Sequence, residues 1–496
     1  MRAKICLTTF FLSLLFLSGS LVASDFYISG VNQAEYIYRN APDSTHQYFH
    51  DQFQFDLNYN SFRFGMKFEG NFPKYEKFSP LENITPSDIS YEWTDRFLQY
   101  SQDEFMVRGG NFECVIGSGM IFHAYDDEVL DEDKQLDGLY ARTSFNKWNF
   151  QAFCGVLPSK MDASKDEIVN GADLNISPLN SLSVGMAAIS EKQFQDGTIY
   201  KYNIREVLSG RFEYSVELFD LRAEYGESKQ YHNISGKIDY GSGLYTDLNI
   251  YAGKFTFTQA YKNYDDFDNR LSDLPTANYS SEPIAKYGNS SIPGKNEEGL
   301  QSVIRFVPNF DNEFVVNYAV GWSHDYDVRQ CDFHTEFNHE FSSISLRTEY
   351  SQLERRWENQ EGLANTWLRK SKPQITADFF LGELPALLKL GCEIEDEDIE
   401  HHLEKVNEKY YEPLFQFDIS YKDYSTSIMV THQVSELENL TKGTPKVGVE
   451  FSAKLWDSTE ANLFVGKEKG GLVCRNGVCR NQAPFEGLRL ELTTRF

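Results

Sequence analysis

The chain has 496 residues, with 47 Lys and Arg against 74 Asp and Glu, and therefore a formal net charge of −27. This charge argues against a nucleic-acid-binding protein, because phosphate contacts need clustered Lys and Arg side chains. An aromatic content of 15% argues against a disordered acidic chain. No apolar run of about 18 residues follows the N-terminal segment, which argues against a helical membrane protein.

The N-terminal segment has the pattern of an export signal. Arg2 and Lys4 precede an apolar stretch over residues 5–17, and small residues follow as far as Ala23. A basic start, a short apolar core and a small-residue exit are typical of a secretory signal peptide, and the competing interpretation is a buried N-terminal helix. We predict a signal peptide over residues 1–23 and a single exported domain over residues 24–496.

Strict alternation of apolar and polar residues begins soon after this segment. Residues 53–59 and 62–68 alternate with period two, and the apolar parity changes across Asn60-Ser61. This is the pattern of two strands joined by a tight turn, with one continuous apolar face. Further hairpin turns are predicted at 146–147 and 457–460, and near 214–216, 241–243, 308–312, 340–342, 381–386 and 422–423.

The predicted fold class is all-β: one large transmembrane antiparallel β-barrel with an even strand number between 18 and 24. The alternation continues to the last strand, 487–496, with long polar connections such as 262–297 and 396–411 between hairpins. A barrel of this size encloses water, so its apolar face must point outward to lipid. A secreted sandwich, propeller or solenoid is the alternative, and the lack of a repeat of fixed period argues against the last two.

Two sets of residues are candidates for a pore. The glycines around Ser118 suggest a bulge or close backbone approach, so residues 109–127 are interpreted as bending into the lumen; an ordinary extracellular hairpin is the alternative. The candidate constriction residues are Gly117, Ser118, Gly119, Asp126 and Asp127. The candidate lumen-lining residues are Arg63, Lys67, Glu69, Arg222, Glu224, Arg305, Arg347, Glu349, Arg489 and Glu491.

Two cysteines lie close together near the C-terminus. Cys474 and Cys479 flank Asn476-Gly477, a strong tight-turn signal. In an oxidising compartment we predict a disulfide between them. The remaining cysteines of the exported chain are isolated and are interpreted as small apolar wall residues.

No catalytic, cofactor-binding or metal-binding residues are predicted. The sequence lacks Gly-x-Ser-x-Gly, His-Glu-x-x-His, Gly-x-x-x-x-Gly-Lys and Gly-x-Gly-x-x-Gly. A Ser-His-acid set assembled from distant strands remains an alternative to the prediction that the protein is not an enzyme. Acidic runs such as 126–128, 131–133 and 395–398 could hold divalent cations or bridge to lipopolysaccharide phosphates, but such runs are usually solvated loops.

Two local motifs carry a family resemblance. The first comprises 110–112, 117–122, 124–127 and 136–138; the second comprises 470–474, 477–480, 484–485 and the closing 494–496. Both resemble an uncharacterised family of Bacteroidetes-type outer-membrane β-barrels, a domain of unknown function. This family is distantly grouped with TonB-dependent receptor barrels, but alternation from Phe26 onward leaves no room here for their plug. The resemblance implies a fold and a location in a Gram-negative outer membrane, and no activity.

The same resemblance implies partners. In outer-membrane barrels a terminal aromatic residue, here Phe496, is part of the signal read by the barrel-assembly machinery. The expected partners are this machinery, outer-membrane lipid and lipopolysaccharide, without nucleic acid or cofactor.

The predicted function is a porin-like passive channel for polar or cationic solutes. The alternative is a loop-plugged barrel that serves as a receptor or scaffold for an unknown partner protein or surface glycan.

Overall fold

A computed structural model describes residues 26–40, 47–72, 90–127, 132–157, 167–194, 202–267, 271–277, 296–324, 328–357, 365–401, 404–436, 444–475, 478–482 and 484–496. Every regular element in these ranges is a β-strand. None of the described residues belongs to a helix long and apolar enough to cross a membrane.

The strands are β1 (Phe26–Arg39), β2 (Gln47–Tyr59), β3 (Phe62–Asn71), β4 (Ser90–Gln102), β5 (Phe105–Phe112), β6 (Cys114–Ile116), β7 (Phe122–Ala124), β8 (Asp126–Asp127), β9 (Glu132–Asp133), β10 (Leu136–Phe145), β11 (Trp148–Leu157), β12 (Glu167–Leu179), β13 (Leu182–Phe194), β14 (Tyr202–Ser215), β15 (Phe219–His232), β16 (Ile238–Ala252), β17 (Phe255–Asp265), β18 (Glu297–Asn309), β19 (Asn312–Ser323), β20 (Val328–Glu340), β21 (Ile344–Trp357), β22 (Asn365–Leu381), β23 (Leu384–His401), β24 (Glu404–Tyr421), β25 (Tyr424–Thr431), β26 (Lys446–Trp456), β27 (Thr459–Glu468), β28 (Gly471–Arg475), β29 (Val478–Gln482) and β30 (Phe485–Arg495).

Twenty-four of these strands form one closed antiparallel barrel. Each barrel strand pairs with the next along the chain, β5 pairs with β10, β27 pairs with β30, and β30 returns to pair with β1. The predicted fold class is therefore confirmed, at the upper limit of the predicted strand number. The short hairpins β6–β7, β8–β9 and β28–β29 lie outside the barrel sheet.

The two faces of the sheet differ in chemistry, as the period-two pattern predicts. On β14, Arg205 and Arg211 are buried on one face, whereas Leu208 on the opposite face is 66% exposed. Large apolar side chains remain exposed on the same outer face of other strands, for example Leu139 on β10 and Met186 on β13. An apolar outer face around a charged inner face suits a barrel surrounded by lipid.

Successive connections lie at alternate ends of the barrel. One end has only short turns, and the other has most of the long connections, although only two residues separate β23 from β24. The short turns contain residues with positive φ, such as Asn60 at 51° and Asn146 at 54°, as hairpin turns of the primed type require. The C-terminus closes the barrel at the end that has the short turns. Phe496 exchanges backbone hydrogen bonds with Gly30 at 2.9 and 3.0 Å, and its ring stacks on Phe53.

Two details of the predicted topology are wrong. The turn predicted near 241–243 is wrong, because these residues lie inside β16. Gly243 and its partner Gly226 leave space for the ring of Phe267 and do not form a turn. A Cβ atom at either glycine would lie 2.6 Å from that ring. The long connection predicted at 396–411 is also wrong, since β23 and β24 continue through most of it. The sequence over 396–411 has polar residues at alternating and intervening positions alike, which hides the period of the strands.

The predicted signal peptide, residues 1–23, lies outside the described residues. The hairpin β28–β29 places Cys474 directly opposite Cys479 in its backbone register. Opposed residues of an antiparallel pair have Cα atoms about 4.5–5.5 Å apart, which is within the range that a disulfide spans. The disulfide itself stays a prediction.

Candidate functional site

The chain between β5 and β10 crosses the inside of the barrel. We call residues 113–135 the inner segment; the structure describes it at 113–127 and 132–135. Its Ser118 contacts Glu224 on β15, and its Asp126 contacts Lys67 on β3. Along the wall these strands are eight spacings of about 4.8 Å apart, which is an arc of about 50 Å for strands tilted by about 40°. Eight residues extend at most about 28 Å. Between Ser118 and Asp126 the segment therefore crosses the lumen as a chord.

The predicted constriction residues Gly117, Ser118 and Gly119 form the contact with β15. The backbone N–H and the hydroxyl of Ser118 both donate to Glu224 Oε2, at 2.8 and 2.7 Å. The flanking glycines adopt φ of 59° and 88°, and a Cβ atom at Gly117 would lie 2.5 Å from the same carboxylate oxygen. Only glycine permits this close approach.

Apolar packing fixes the middle of the inner segment to the wall. Ile116, Met120, Ile121 and Phe122 are fully buried, and the ring of Phe122 stacks on Phe153 of β11 with centroids 4.5 Å apart. Burying each such side chain stabilises the folded state by about 1.5–3 kcal/mol. The wall contributes Leu157, Val169, Ala187, Ile189 and Val207 to this cluster. The middle of the segment is thus packed against the inner wall.

A polar network joins the same cluster. Asp173 on β12 receives two hydrogen bonds from the Arg211 guanidinium, at 2.6 and 2.9 Å. Gln151 donates to Asp173 at 3.1 Å and to the inner segment at the Val115 carbonyl, also at 3.1 Å. Burial raises the pKa of the nearby Cys114 thiol to about 12. The thiol is therefore an inert packing group at neutral pH.

A second stretch of chain after β17 packs against the inner segment. Leu271 accepts a hydrogen bond from the backbone N–H of His123 at 2.5 Å, and the backbone N–H of Asp273 donates to the Gly119 carbonyl at 3.0 Å. The Phe267 ring belongs to the same apolar cluster as the inner segment. Arg205 of the wall donates to the Phe267 carbonyl at 2.5 Å. The two stretches together form a buried layer inside the barrel.

The negative charge of Asp126 in the inner segment is neutralised by a lysine of the barrel wall. Asp126 accepts a hydrogen bond from Lys67 Nζ at 2.9 Å, and Lys67 also lies 3.6 Å from Glu69. Asp127 is half-buried and pairs with Glu132 in the short β8–β9 ladder. The structure thus brings three predicted lumen-lining or constriction residues, Lys67, Glu69 and Asp126, into one cluster.

The other predicted lumen-lining residues share the inner face but are spread around the barrel. Arg63 pairs with Asp56 at 2.8 Å, and Arg489 lies 3.3 Å from Glu468 and 3.4 Å from Glu491. Arg222 lies on the same face of β15 as Glu224, because the two residues are two positions apart. Arg305 pairs with Glu313, Arg347 lies 3.7 Å from Glu336, and Glu349 accepts from Gln374 at 2.7 Å. Their effect on solute passage stays a prediction.

Several residues of the site were not found from the sequence. Asp173, Arg205 and Arg211 hold the layer from the wall, and Phe267 contributes its ring from a connection. Of the two glycines that face Phe267, Gly243 gave the available signal, but the sequence around it predicts a turn near 241–243.

Comparisons with known proteins agree with this architecture. The model described as "Family of unknown function (DUF6029)" matches residues 4–337, about two thirds of the chain. This confirms the predicted resemblance to an uncharacterised family. No protein with a curated description is significantly similar to the sequence.

The matching solved structures include a pilus assembly intermediate, a translocation pore and a siderophore receptor. A chain of the E. coli P pilus tip assembly intermediate PapC-PapD-PapK-PapG is 9% identical with a TM-score of 0.56, and the match covers 95% of this chain and 60% of that one. The P pilus usher (PapC) translocation pore is 10% identical with a TM-score of 0.48, covering 95% and 99%. The siderophore receptor PirA from Pseudomonas aeruginosa is 9% identical with a TM-score of 0.48, covering 95% and 80%. Of these matches, only the first has a TM-score above 0.5, and at 9% identity its likeness to this chain concerns the fold alone.

Proposed function

The chain belongs to the family of unknown function DUF6029, and we propose that it is a porin-like passive channel for polar solutes, with a preference for cations. The observation that carries the proposal is a closed 24-stranded barrel with a charged inner face. Its place is the outer membrane of a Gram-negative cell, reached through the signal peptide over residues 1–23. The barrel-assembly machinery would read Phe496, and outer-membrane lipid and lipopolysaccharide would surround the outer face.

The size of the barrel supports an aqueous path. With 24 strands spaced about 4.8 Å apart and tilted about 40°, the perimeter is roughly 150 Å. A circular barrel of that perimeter is about 48 Å across, and inward side chains reduce its interior to about 38 Å. The inner segment is one packed layer, about 10 Å thick. It would therefore narrow the lumen to one side and leave solvent beside it.

The charges support a preference for cations. The formal net charge is −27, and many cationic side chains of the inner face are already paired with carboxylates, such as Arg211 with Asp173 and Arg489 with Glu468. The excess carboxylates make the interior a region of negative potential. Such a lumen concentrates cations and repels anions.

Charge reversal tests this proposal. Glu491→Lys changes the sign of a half-buried inner-face group that lies 3.4 Å from Arg489. The expected result is a shift of the reversal potential in a KCl gradient toward lower cation preference. Glu227→Lys is the matched control, because Glu227 lies on the outer face of β15 opposite the exposed Leu208. An unchanged reversal potential for Glu491→Lys would count against a lumen-lining role.

One observation favours the alternative, a loop-plugged barrel that acts as a receptor or scaffold. The inner segment is tied to the second stretch after β17 by backbone hydrogen bonds at Gly119 and His123. Two connected stretches occlude more of the lumen than one does. A folded protein that does not conduct would favour this alternative over the channel. No catalytic activity or cofactor is part of either proposal.

A further inference from the structure

Three potential metal ligands lie side by side on the inner wall, away from the inner segment. His334 and Glu336 occupy alternate positions on β20, and Glu349 lies directly opposite Glu336 on β21. One donor atom from each of the three lies within 4.8 Å of the others. Within the part of the chain that the structure describes, no second group of three such side chains is this close. Because all three residues are held in the barrel sheet, their spacing is fixed by the ladder.

Each of these side chains has a neighbour outside the group that orients it. His334 Nδ1 lies 2.8 Å from the Ser351 hydroxyl, which directs Nε2 toward the carboxylates. Asn338 donates to Glu336 Oε1 at 2.6 Å, and Gln374 donates to Glu349 Oε2 at 2.7 Å. An outer partner for each ligand, and above all for the second ring nitrogen of a histidine, is the arrangement found around protein metal sites.

The charges of the group also favour a cation. Carboxylates directly opposite one another on a ladder repel, and Glu336 and Glu349 are both at least half-buried. Arg347 Nε, 3.7 Å from Glu336 Oε1, offsets one of the two charges on the side away from His334. On the near side, Glu336 Oε2 lies 3.6 Å from His334 Nε2. Ligand atoms of a tetrahedral zinc ion are about 3.3 Å apart, so this pair already has nearly the required separation.

We propose that His334, Glu336 and Glu349 form a binding site for one divalent transition-metal ion of the Zn²⁺ type, with water as the fourth ligand. One imidazole nitrogen and two carboxylate oxygens suit Zn²⁺ better than Ca²⁺ or Mg²⁺, which take mainly oxygen ligands. This site replaces the expectation of no metal ligands. It does not depend on the proposed function, because a wall site binds its ion whether or not the barrel conducts.

The test is calorimetric titration of ZnCl₂ into the refolded full-length protein, with millimolar Mg²⁺ present to occupy weak acidic sites. A heat-modifiable gel shift verifies the fold of every variant. We expect one Zn²⁺ per chain, a loss of affinity of roughly 10-fold or more in His334→Gln and Glu349→Gln, and a loss of about 10-fold in Ser351→Ala. The matched control is His339→Gln. We expect this variant to bind Zn²⁺ as tightly as the wild type does, because His339 lies on the opposite face of β20.

Two results would overturn the site. One is a folded wild-type protein that binds no Zn²⁺, and the other is Zn²⁺ binding of equal affinity in the wild type and His334→Gln. X-ray absorption of the zinc-loaded wild type supplies a second readout. One nitrogen and several oxygen ligands are expected, and a shell of oxygen alone would assign the ion to the acidic loops instead.

Discussion

The contact between Glu224 and Ser118 predicts how firmly the inner segment is held. Glu224→Gln keeps the size of the side chain and one acceptor oxygen but removes the charge that receives two hydrogen bonds from Ser118. A hydrogen bond to a charged group contributes about 1.5–3 kcal/mol and a neutral one about 0.5–1.5 kcal/mol. Two bonds therefore lose about 2–3 kcal/mol, and the water that the released carboxylate would regain offsets part of this. A net loss of about 1.5–2 kcal/mol raises the released population roughly 10- to 30-fold.

Single-channel recording measures this change. We expect the wild type to conduct at a steady level, and Glu224→Gln to add brief excursions to a higher conductance as the segment leaves the wall. Asp220→Asn is the matched control, because Asp220 lies on the same face of β15 but bonds Tyr251 and not the inner segment. If current noise and conductance in Glu224→Gln equal those of the wild type while the variant folds normally, the reasoning about this contact is refuted.

Three further predictions concern the inner segment and the terminal hairpin. Phe122→Ala should lower the free energy of unfolding, measured by denaturant titration, by about 3–5 kcal/mol. Phe150→Ala should lower it by less, because Phe150 is exposed on the outer face. Equal losses in the two variants would contradict the packed layer. Burial raises the pKa of Cys114 to about 12. In the folded protein this thiol should therefore resist iodoacetamide at pH 8 and react faster as the pH rises, because only the thiolate is alkylated. Labelling at the rate of the unfolded protein would contradict its burial. Cys474 and Cys479 should appear as one disulfide-linked peptide by non-reducing mass spectrometry, and two alkylated thiols would contradict the bridge.

The barrel could be predicted from the sequence because its physics is local. Each membrane strand must alternate between lipid and water, so residues 53–68 and 487–496 reveal both strand and facing. The strand prediction is wrong where the alternation is lost. The sequence over 396–411 has polar residues at positions of both parities, so this part of β23 and β24 resembles a loop.

The interior could be predicted only in part, because its contacts join residues far apart in the chain. The glycines around Ser118 indicated an unusual bend, but nothing near them identifies Glu224 as the acceptor, more than a hundred residues later. His334 and Glu336 show only the period of a strand in the sequence. Their relation to Glu349 appears once the register of β20 and β21 is known.

The most direct test of the channel is the conductance of the refolded full-length protein in a planar bilayer, with a heat-modifiable gel shift as the folding control. A lumen only partly filled by the inner segment should give steady, ohmic steps that favour cations over anions. A folded protein that inserts and stays silent, or one that selects anions, would contradict the account.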